Sequence, residues 1–260
     1  MGVTPRLLAL DIDGTLVDAS DRITPSVTAG VRRARDLGVH VVLATGRSTF
    51  GIEPILALLE LEGGHAVASN GAVTFTYFPV EITSATTFDA APAVRTVLEA
   101  VPEALVAVEV VGRGYRSNAP FPQGEITGEM WIEDVDELIS EPVTRVIIRD
   151  PSSSAEDFLE LAHDLGLHGI NYFVGYTAWL DLAPEGVSKA SALSKVAAEL
   201  GVVAAEVLAI GDGRNDVEML TWAGRGVAMG QAPDEVKAAA DAVTGTWAED
   251  GVAHELARWL

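Results

Sequence analysis

The runs LLAL, VHVVLA and VLAI, at residues 7–10, 39–44 and 207–210, are short and nearly free of polar residues. Strands that lie half in water alternate apolar with polar residues; unbroken apolar runs of this length suit strands buried on both faces. Between and after them come segments with apolar residues at helical spacing, among them TPSVTAGVRRARDLG, GIEPILALLELEGG and SKASALSKVAAELG. Buried strands alternating with helices predict an α/β fold, a doubly wound and mostly parallel sheet. The same grammar closes the chain in RGVAMG, APDEVKAAA and EDGVAHELARWL, while HAVASNGAVTF reads as one further strand-like segment.

The pattern changes between residues 83 and 183. There APAVRTVLEAV and SAEDFLELAHDLG read as helices, each followed by two strand-like pieces: ALVAVEVV with GYRSN, and HGINYFV with AWLDLA. The expected organisation is a Rossmann-like core formed by residues 1–82 and 184–260, interrupted by an inserted α+β domain over residues 83–183.

Composition narrows the chemistry. A net charge of −21 disfavours nucleic acid and anionic membrane as partners. No apolar run approaches the roughly 20 residues that span a bilayer, and the N-terminus has no signal-peptide pattern, so a cytoplasmic protein is expected. The absence of cysteine fits a reducing compartment and leaves only oxygen or imidazole to hold a metal. Lysine is scarce: Lys189, Lys195 and Lys237 are the only ones.

Ligands of open α/β sheets bind beyond the carboxyl ends of the strands. Three such ends carry unusual polar residues: DIDGT from Asp11, TGR from Thr45, and GDGRND from Gly211 to Asp216. Asp11 and Asp13, two apart, can face one site while Gly14 lets the chain turn. Two carboxylates about 4 Å apart repel by roughly 4 kcal/mol at an effective dielectric near 20, so a cation or a proton must accompany them. An EF-hand is excluded, because its glycine and glutamate positions fall on Leu16 and Arg22. A dinucleotide loop is disfavoured, because Asp216 replaces the last glycine and Asp212 would face the pyrophosphate.

Thr45 and Gly46 offer a hydroxyl and an N–H just ahead of a helix expected near Ser48, where anions are favoured. Lys189 opens another helix. With Asp11, Asp212 and Asp216 ionised and Asp13 protonated, Mg²⁺ and Lys189 bring the cluster to neutrality, and it can admit a phosphate dianion. Carboxylates without cysteine or histidine suit Mg²⁺ rather than Zn²⁺.

At these four motifs, in this order, the sequence resembles the haloacid dehalogenase-like superfamily of phosphohydrolases. The resemblance implies Asp11 as nucleophile and Asp13 as general acid/base. It implies Thr45, Gly46 and Lys189 as phosphate-binding groups, with Asn215 beside them orienting its neighbours. Mg²⁺ would be held by Asp11, the backbone carbonyl of Asp13, Asp212 and Asp216. The insert lies between the second and third motifs, and with SNGA at Ser69–Ala72 and EDGVAHEL at Glu249–Leu256 this is similar to the large-capped, Cof-type branch.

The implied activity is Mg²⁺-dependent hydrolysis of a small phosphorylated metabolite, such as a sugar phosphate, through an aspartyl-phosphate. The alternatives are a phosphomutase on the same core and a non-catalytic binder of phosphorylated metabolites. Arg47 and Asn70, at the rim of the core, are the candidate substrate contacts; Arg113, Tyr115 and Arg116 in the insert are a further basic-aromatic nomination.

Overall fold

A computed structural model of the chain describes residues 5–150, 152, 170–174 (as backbone) and 179–260. Two compact units emerge, one comprising Met1–Arg47, Ile52–Ser84 and Ser188–Leu260, the other Ser48–Gly51 and Ala85–Val187.

The first unit is built on an eight-stranded sheet. Its strands are β1 (Leu7–Leu10), β2 (His40–Ala44), β3 (Gly64–Ala68), β4 (Val73–Tyr77), β5 (Glu81–Ala85), β12 (Val207–Gly211), β13 (Arg225–Ala228) and β14 (Ala242–Val243). The spatial order is β14-β13-β12-β1-β2-β3-β4-β5. Pairing is parallel from β14 to β3 and turns antiparallel at β3–β4. Every residue of β1 and β12 is buried, as their unbroken apolar runs require.

Helices cover this sheet, and their boundaries follow local chemistry. Pro25–Asp36 starts where the Thr24 hydroxyl accepts from the Val27 N–H and Pro25 presets the first turn. It buries Val27, Val31 and Ala34, the stripe that its sequence spacing predicts. Lys189–Glu199 is capped by Ser188, whose hydroxyl accepts from the Ser191 N–H while Ser191 caps the Ser188 N–H in return.

HAVASNGAVTF, expected as one strand, is two, broken at the turn Ser69–Gly71. Three successive residues there, Ser69, Asn70 and Gly71, have φ between 51° and 103°, which no strand tolerates. Likewise the segment after β12 begins as a 3₁₀ turn at Arg214–Asp216 before the helix Val217–Trp222.

The second unit carries a six-stranded sheet of β6 (Leu105–Val110), β7 (Gly114–Ser117), β8 (Glu129–Ile132), β9 (Val146–Arg149), β10 (Ile170–Val174) and β11 (Trp179–Pro184), in the order β10-β11-β9-β6-β7-β8. Its pairs are antiparallel except β7–β8. Val94 and Val97 of the helix Ala91–Ala100 pack on Val106, Val108, Val146, Ile148, Leu180 and Leu182. β8 and β9 were not anticipated: EMWI is a mostly exposed edge, and VIIR is only four residues long. The helix expected over SAEDFLELAHDLG lies outside the described residues.

Candidate active site

The sheet order decides where chemistry can gather. β1 has β2 on one side and β12 on the other, all parallel; the chain leaves β1 toward β2 and leaves β12 toward β13, in opposite directions, and this opens a crevice at the carboxyl ends of β1 and β12. Asp11, Thr45 and Asp212 are the first residues beyond β1, β2 and β12.

Lys189, the first residue of its helix, is wholly buried, and its ammonium lies 2.7 Å from Asp11 Oδ1 and 2.6 Å from Asp216 Oδ1. Asp216 is fixed from its other side, where Oδ2 accepts from the Asp212 and Gly213 N–H groups at 2.9 Å each. Gly211 and Gly14 are required by this crowding. A Cβ on Gly211 would meet the Asp216 carboxylate at 2.4 Å, and one on Gly14, where φ is +81°, would meet Asp212 Oδ2 at 2.2 Å.

Ligand oxygens of Asp11, Asp212 and Asp216 all lie within 4.8 Å of one another. Burial, then the neighbouring Asp216 charge, pushes the Asp11 carboxyl well above the ordinary carboxylate range, against the pull of Lys189. Burial and Asp216 raise Asp212 to about 6, opposed by a hydrogen bond from Gln231 and by Lys189. Burial alone would favour a neutral Lys189, but the Asp11 and Asp216 charges outweigh it and hold the ammonium protonated. Three carboxylates against one ammonium leave a deficit that a divalent cation matches. The donors are all oxygen, and the protonation of Asp11 and Asp212 that burial favours is what such a cation would reverse. The residues therefore fit Mg²⁺.

Asp13 points elsewhere. Its side chain is 58% exposed and pairs with Arg47, whose Nε and Nη2 lie 3.0 and 2.5 Å from its oxygens. Arg47 Nη2 also lies 2.5 Å from Asp21 Oδ1, so the guanidinium bridges two carboxylates at the rim. Thr45 is buried, and its hydroxyl accepts from the Arg47 N–H at 3.1 Å.

Asn70 is a buried brace, only 2% exposed. Its N–H donates to the Thr45 carbonyl at 3.0 Å, and its Oδ1 accepts from Asn215 Nδ2 at 2.9 Å. A Cβ on Gly46 would come within 3.2 Å of Asn70 Oδ1, so Gly46 lies directly against this brace. The structure thus brings together Asp11, Lys189, Asp212 and Asp216. It places Thr45, Gly46, Asn70 and Asn215 in a second linked group, and Asp13 with Arg47 in a third.

Within the second unit, Tyr115 is buried and its hydroxyl accepts from Arg145 at 2.9 Å. Arg113 stacks over Trp131, 4.7 Å from the ring centroid, and pairs with Glu129; Arg116 pairs with Glu133. These contacts within the insert engage all three residues of the basic-aromatic patch.

Gln231 and Glu218 were missed in the sequence. Glu218 Oε2 accepts from the Ser188 hydroxyl at 2.6 Å, steadying the helix that carries Lys189. Gln231 follows β13 in MGQA, at the same carboxyl edge as the other site residues, and its position there was the available signal.

Comparison with known proteins agrees with this geometry. The family profile described as haloacid dehalogenase-like hydrolase matches residues 8–256. The 5-amino-6-(5-phospho-D-ribitylamino)uracil phosphatase YcsE of Bacillus subtilis is 28% identical over 98% of this chain and 96% of its own length. The phosphoglycolate phosphatase of Natronomonas pharaonis is 33% identical over 96% of each chain. A haloacid dehalogenase-like hydrolase of Bacteroides thetaiotaomicron superposes with a TM-score of 0.81 at 28% identity, covering 98% of this chain and 100% of its own. The chain belongs to the haloacid dehalogenase-like hydrolases, in their Cof-type branch.

Proposed function

We propose that this protein is a Mg²⁺-dependent phosphatase that hydrolyses a small phosphorylated metabolite through a phosphoryl group carried on Asp11. The observation that carries the reading is the buried Lys189 ammonium shared by Asp11 and Asp216, with Asp212 beside them. A fully buried lysine costs several kcal/mol to desolvate, and as a structural ion pair it would be a poor investment. As the cation beside a nucleophilic carboxylate it has a use.

Asp11 attacks phosphorus with one carboxylate oxygen while the bond from phosphorus to the leaving oxygen breaks, and Asp13 gives that oxygen a proton. Water then attacks the same phosphorus, its proton passes to Asp13, and the bond to Asp11 breaks, returning both carboxyls to their starting states. Lys189 opposes the protonation that burial favours at Asp11, aims its carboxylate and, with the Thr45 hydroxyl and the Gly46 N–H, holds phosphate oxygens. The Asn70–Asn215 bond keeps the Thr45 loop and the Asp212–Asp216 loop in register. Asp11, the Asp13 carbonyl, Asp212 and Asp216 would hold Mg²⁺, which would supply charge neutralisation and Lewis acidity when bound. Arg47 is the substrate-facing cation at the rim, and substrate choice is assigned to the inserted unit. The named activities of the relatives, on a ribitylamino-uracil phosphate and on phosphoglycolate, support small phosphorylated metabolites as the substrate class. Among the described residues no helix is long and apolar enough to cross a membrane.

The test separates the two aspartates. Given an aryl phosphate, whose leaving group needs little protonation, Asp13→Asn should be phosphorylated and then stall, while Asp11→Asn should not be phosphorylated at all. Rapid-quench intact-mass spectrometry reads the adduct. An adduct mapping to Asp13, or parent-like turnover by Asp11→Asn, would refute the assignment.

A further inference from the structure

The loop from Asp18 to Arg22 carries two carboxylates with different fates. Asp18 Oδ1 accepts from the Ser20 and Arg22 N–H groups at 2.9 and 3.1 Å, and its Oδ2 accepts from the Arg22 guanidinium at 2.9 and 2.5 Å. Asp18 is thus matched by the loop's own arginine. Asp21 donates its N–H to the Asp18 carbonyl at 3.0 Å and has a φ of 55°, a left-handed conformation that Asp and Asn tolerate better than most side chains. Its carboxylate reaches Arg47 instead, whose Nη2 lies 2.5 Å from Asp21 Oδ1 and 2.5 Å from Asp13 Oδ1.

Charge at that rim limits what a substrate can carry. Arg47 brings one positive charge and Asp21 one negative, so the pair is neutral even when Asp13 holds the proton that the proposed mechanism asks of it, and with Asp13 ionised the rim is negative. The scissile phosphate has Lys189 to receive it, but a second anion on the substrate would meet no net positive charge at Arg47. We infer that Asp21 is a specificity-determining residue: it claims Arg47 and so turns the rim against substrates that carry a carboxylate or a further phosphate, in favour of phosphate monoesters of neutral, hydroxylated bodies. The Asp21 side chain is 57% exposed, so substrate hydroxyls can donate to it. Two exposed unit charges about 6 Å apart, at a dielectric between about 40 and 80, alter an equilibrium roughly three- to tenfold, and salt screens the effect. The inference rests on the reading of the site as that of a phosphatase, and it gives the core a share in substrate choice beside the inserted unit.

Two probes that differ in this charge read it: 2-hydroxyethyl phosphate, with a neutral end, and phosphoglycolate, with a carboxylate in its place. Each competes against hydrolysis of an aryl phosphate by the full chain, with Mg²⁺ present and at low ionic strength, and the measured quantity is the ratio of the two inhibition constants. The parent should favour 2-hydroxyethyl phosphate. Asp21→Asn, which keeps the shape and the tolerance for the left-handed turn, should move the ratio roughly three- to tenfold toward phosphoglycolate, and the shift should shrink as salt is added. Asp21→Gly, suited to the same φ, is a second deletion in case the first folds poorly. Asp21→Glu keeps the charge and should hold the ratio within about twofold of the parent. A loop that was merely loosened would weaken both probes alike and leave the ratio where it was.

A parent that favours phosphoglycolate would overturn the inference. So would a parent-like ratio in both deletions, including no binding of either probe by any of the proteins, or a shift in Asp21→Glu equal to that in Asp21→Asn. Failure of the underlying reading shows differently. If the parent does not hydrolyse the aryl phosphate, or Asp11→Asn hydrolyses it as the parent does, the phosphatase assignment falls and the role of Asp21 falls with it. If the parent hydrolyses it, Asp11→Asn does not, and both Asp21 deletions keep the parent's ratio, only the inference is wrong.

Discussion

Lys189→Met should expose how much of this fold's stability hangs on one ammonium. The side chain is wholly buried and touches two carboxylates, at 2.7 and 2.6 Å. Each contact taken alone corresponds to about 6 kcal/mol of attraction at an effective dielectric near 20, but the desolvation of the ammonium offsets most of it. The net loss on removing one partner of a buried pair is about 3–5 kcal/mol, because the stranded charges remain. Methionine matches the lysine stem in length and fills the same space, so the packing term is small. For a chain of this size each kcal/mol moves the midpoint by roughly 2–4 °C, so a fall of about 6–20 °C is expected in chelator.

The same variant should respond to Mg²⁺ more strongly than the parent. Without Lys189 the trio of Asp11, Asp212 and Asp216 is one charge more negative and binds the cation more tightly, and any ligand of the native state stabilises it by mass action. Thermal melts in chelator and in millimolar Mg²⁺ are the assay, with Asp11→Asn/Lys189→Met as the companion. Neutralising one stranded carboxylate should make the double variant more stable than Lys189→Met alone. If Lys189→Met melts within 2 °C of the parent in chelator, or gains less from Mg²⁺ than the parent does, the ammonium is not what compensates these carboxylates.

Other substitutions probe separate parts of the molecule. Asp212→Asn should weaken Mg²⁺ binding at least tenfold by calorimetry with an unchanged far-ultraviolet spectrum, and Ca²⁺, with its longer and looser shell, should bind the parent yet inhibit turnover. Gly71→Ala should cost at least 1–3 kcal/mol by urea unfolding, because φ there is +103° and a Cβ would stand 2.2 Å from the Ser188 carbonyl oxygen, directly ahead of Lys189. Arg145→Met should destabilise the inserted unit by about 3–5 kcal/mol, because Arg145 holds Asp181 through bonds of 2.6 and 2.7 Å; Arg145→Met/Asp181→Leu should recover most of the loss.

Much of the core was legible because its signals are local. LLAL and VLAI can only be buried strands, and a carboxylate directly after such a strand lies at the carboxyl edge whatever the rest of the chain does. Asp11, Thr45 and Asp212 lie at that edge for this reason. Asn70 was read as a rim contact because sequence shows a residue's type and not its direction; three successive left-handed residues turn it inward toward Asn215. Gln231 was invisible for a related reason. A glutamine carries no charge and no motif in itself, and its meaning lies in two acceptors, Gly14 and Asp212, more than 200 and about 20 residues away. In the insert the basic-aromatic reading of GYR overlooked Arg145, whose buried guanidinium claims Tyr115.

The arrangement also explains why Asp11 and Asp13, proposed as nucleophile and acid/base, lie in such different surroundings although only two residues apart. Strand alternation alone would place Asp11 and Asp13 on one face, where their like charges would repel. The turn at Gly14 breaks that symmetry. Asp11 stays buried beside Lys189, whose ammonium opposes the protonation that burial favours. Asp13 swings out to an exposed position beside Arg47. In the proposed mechanism this separation leaves one carboxylate for attack and the other for proton transfer, and the turn between them is made at Gly14, where φ is +81°.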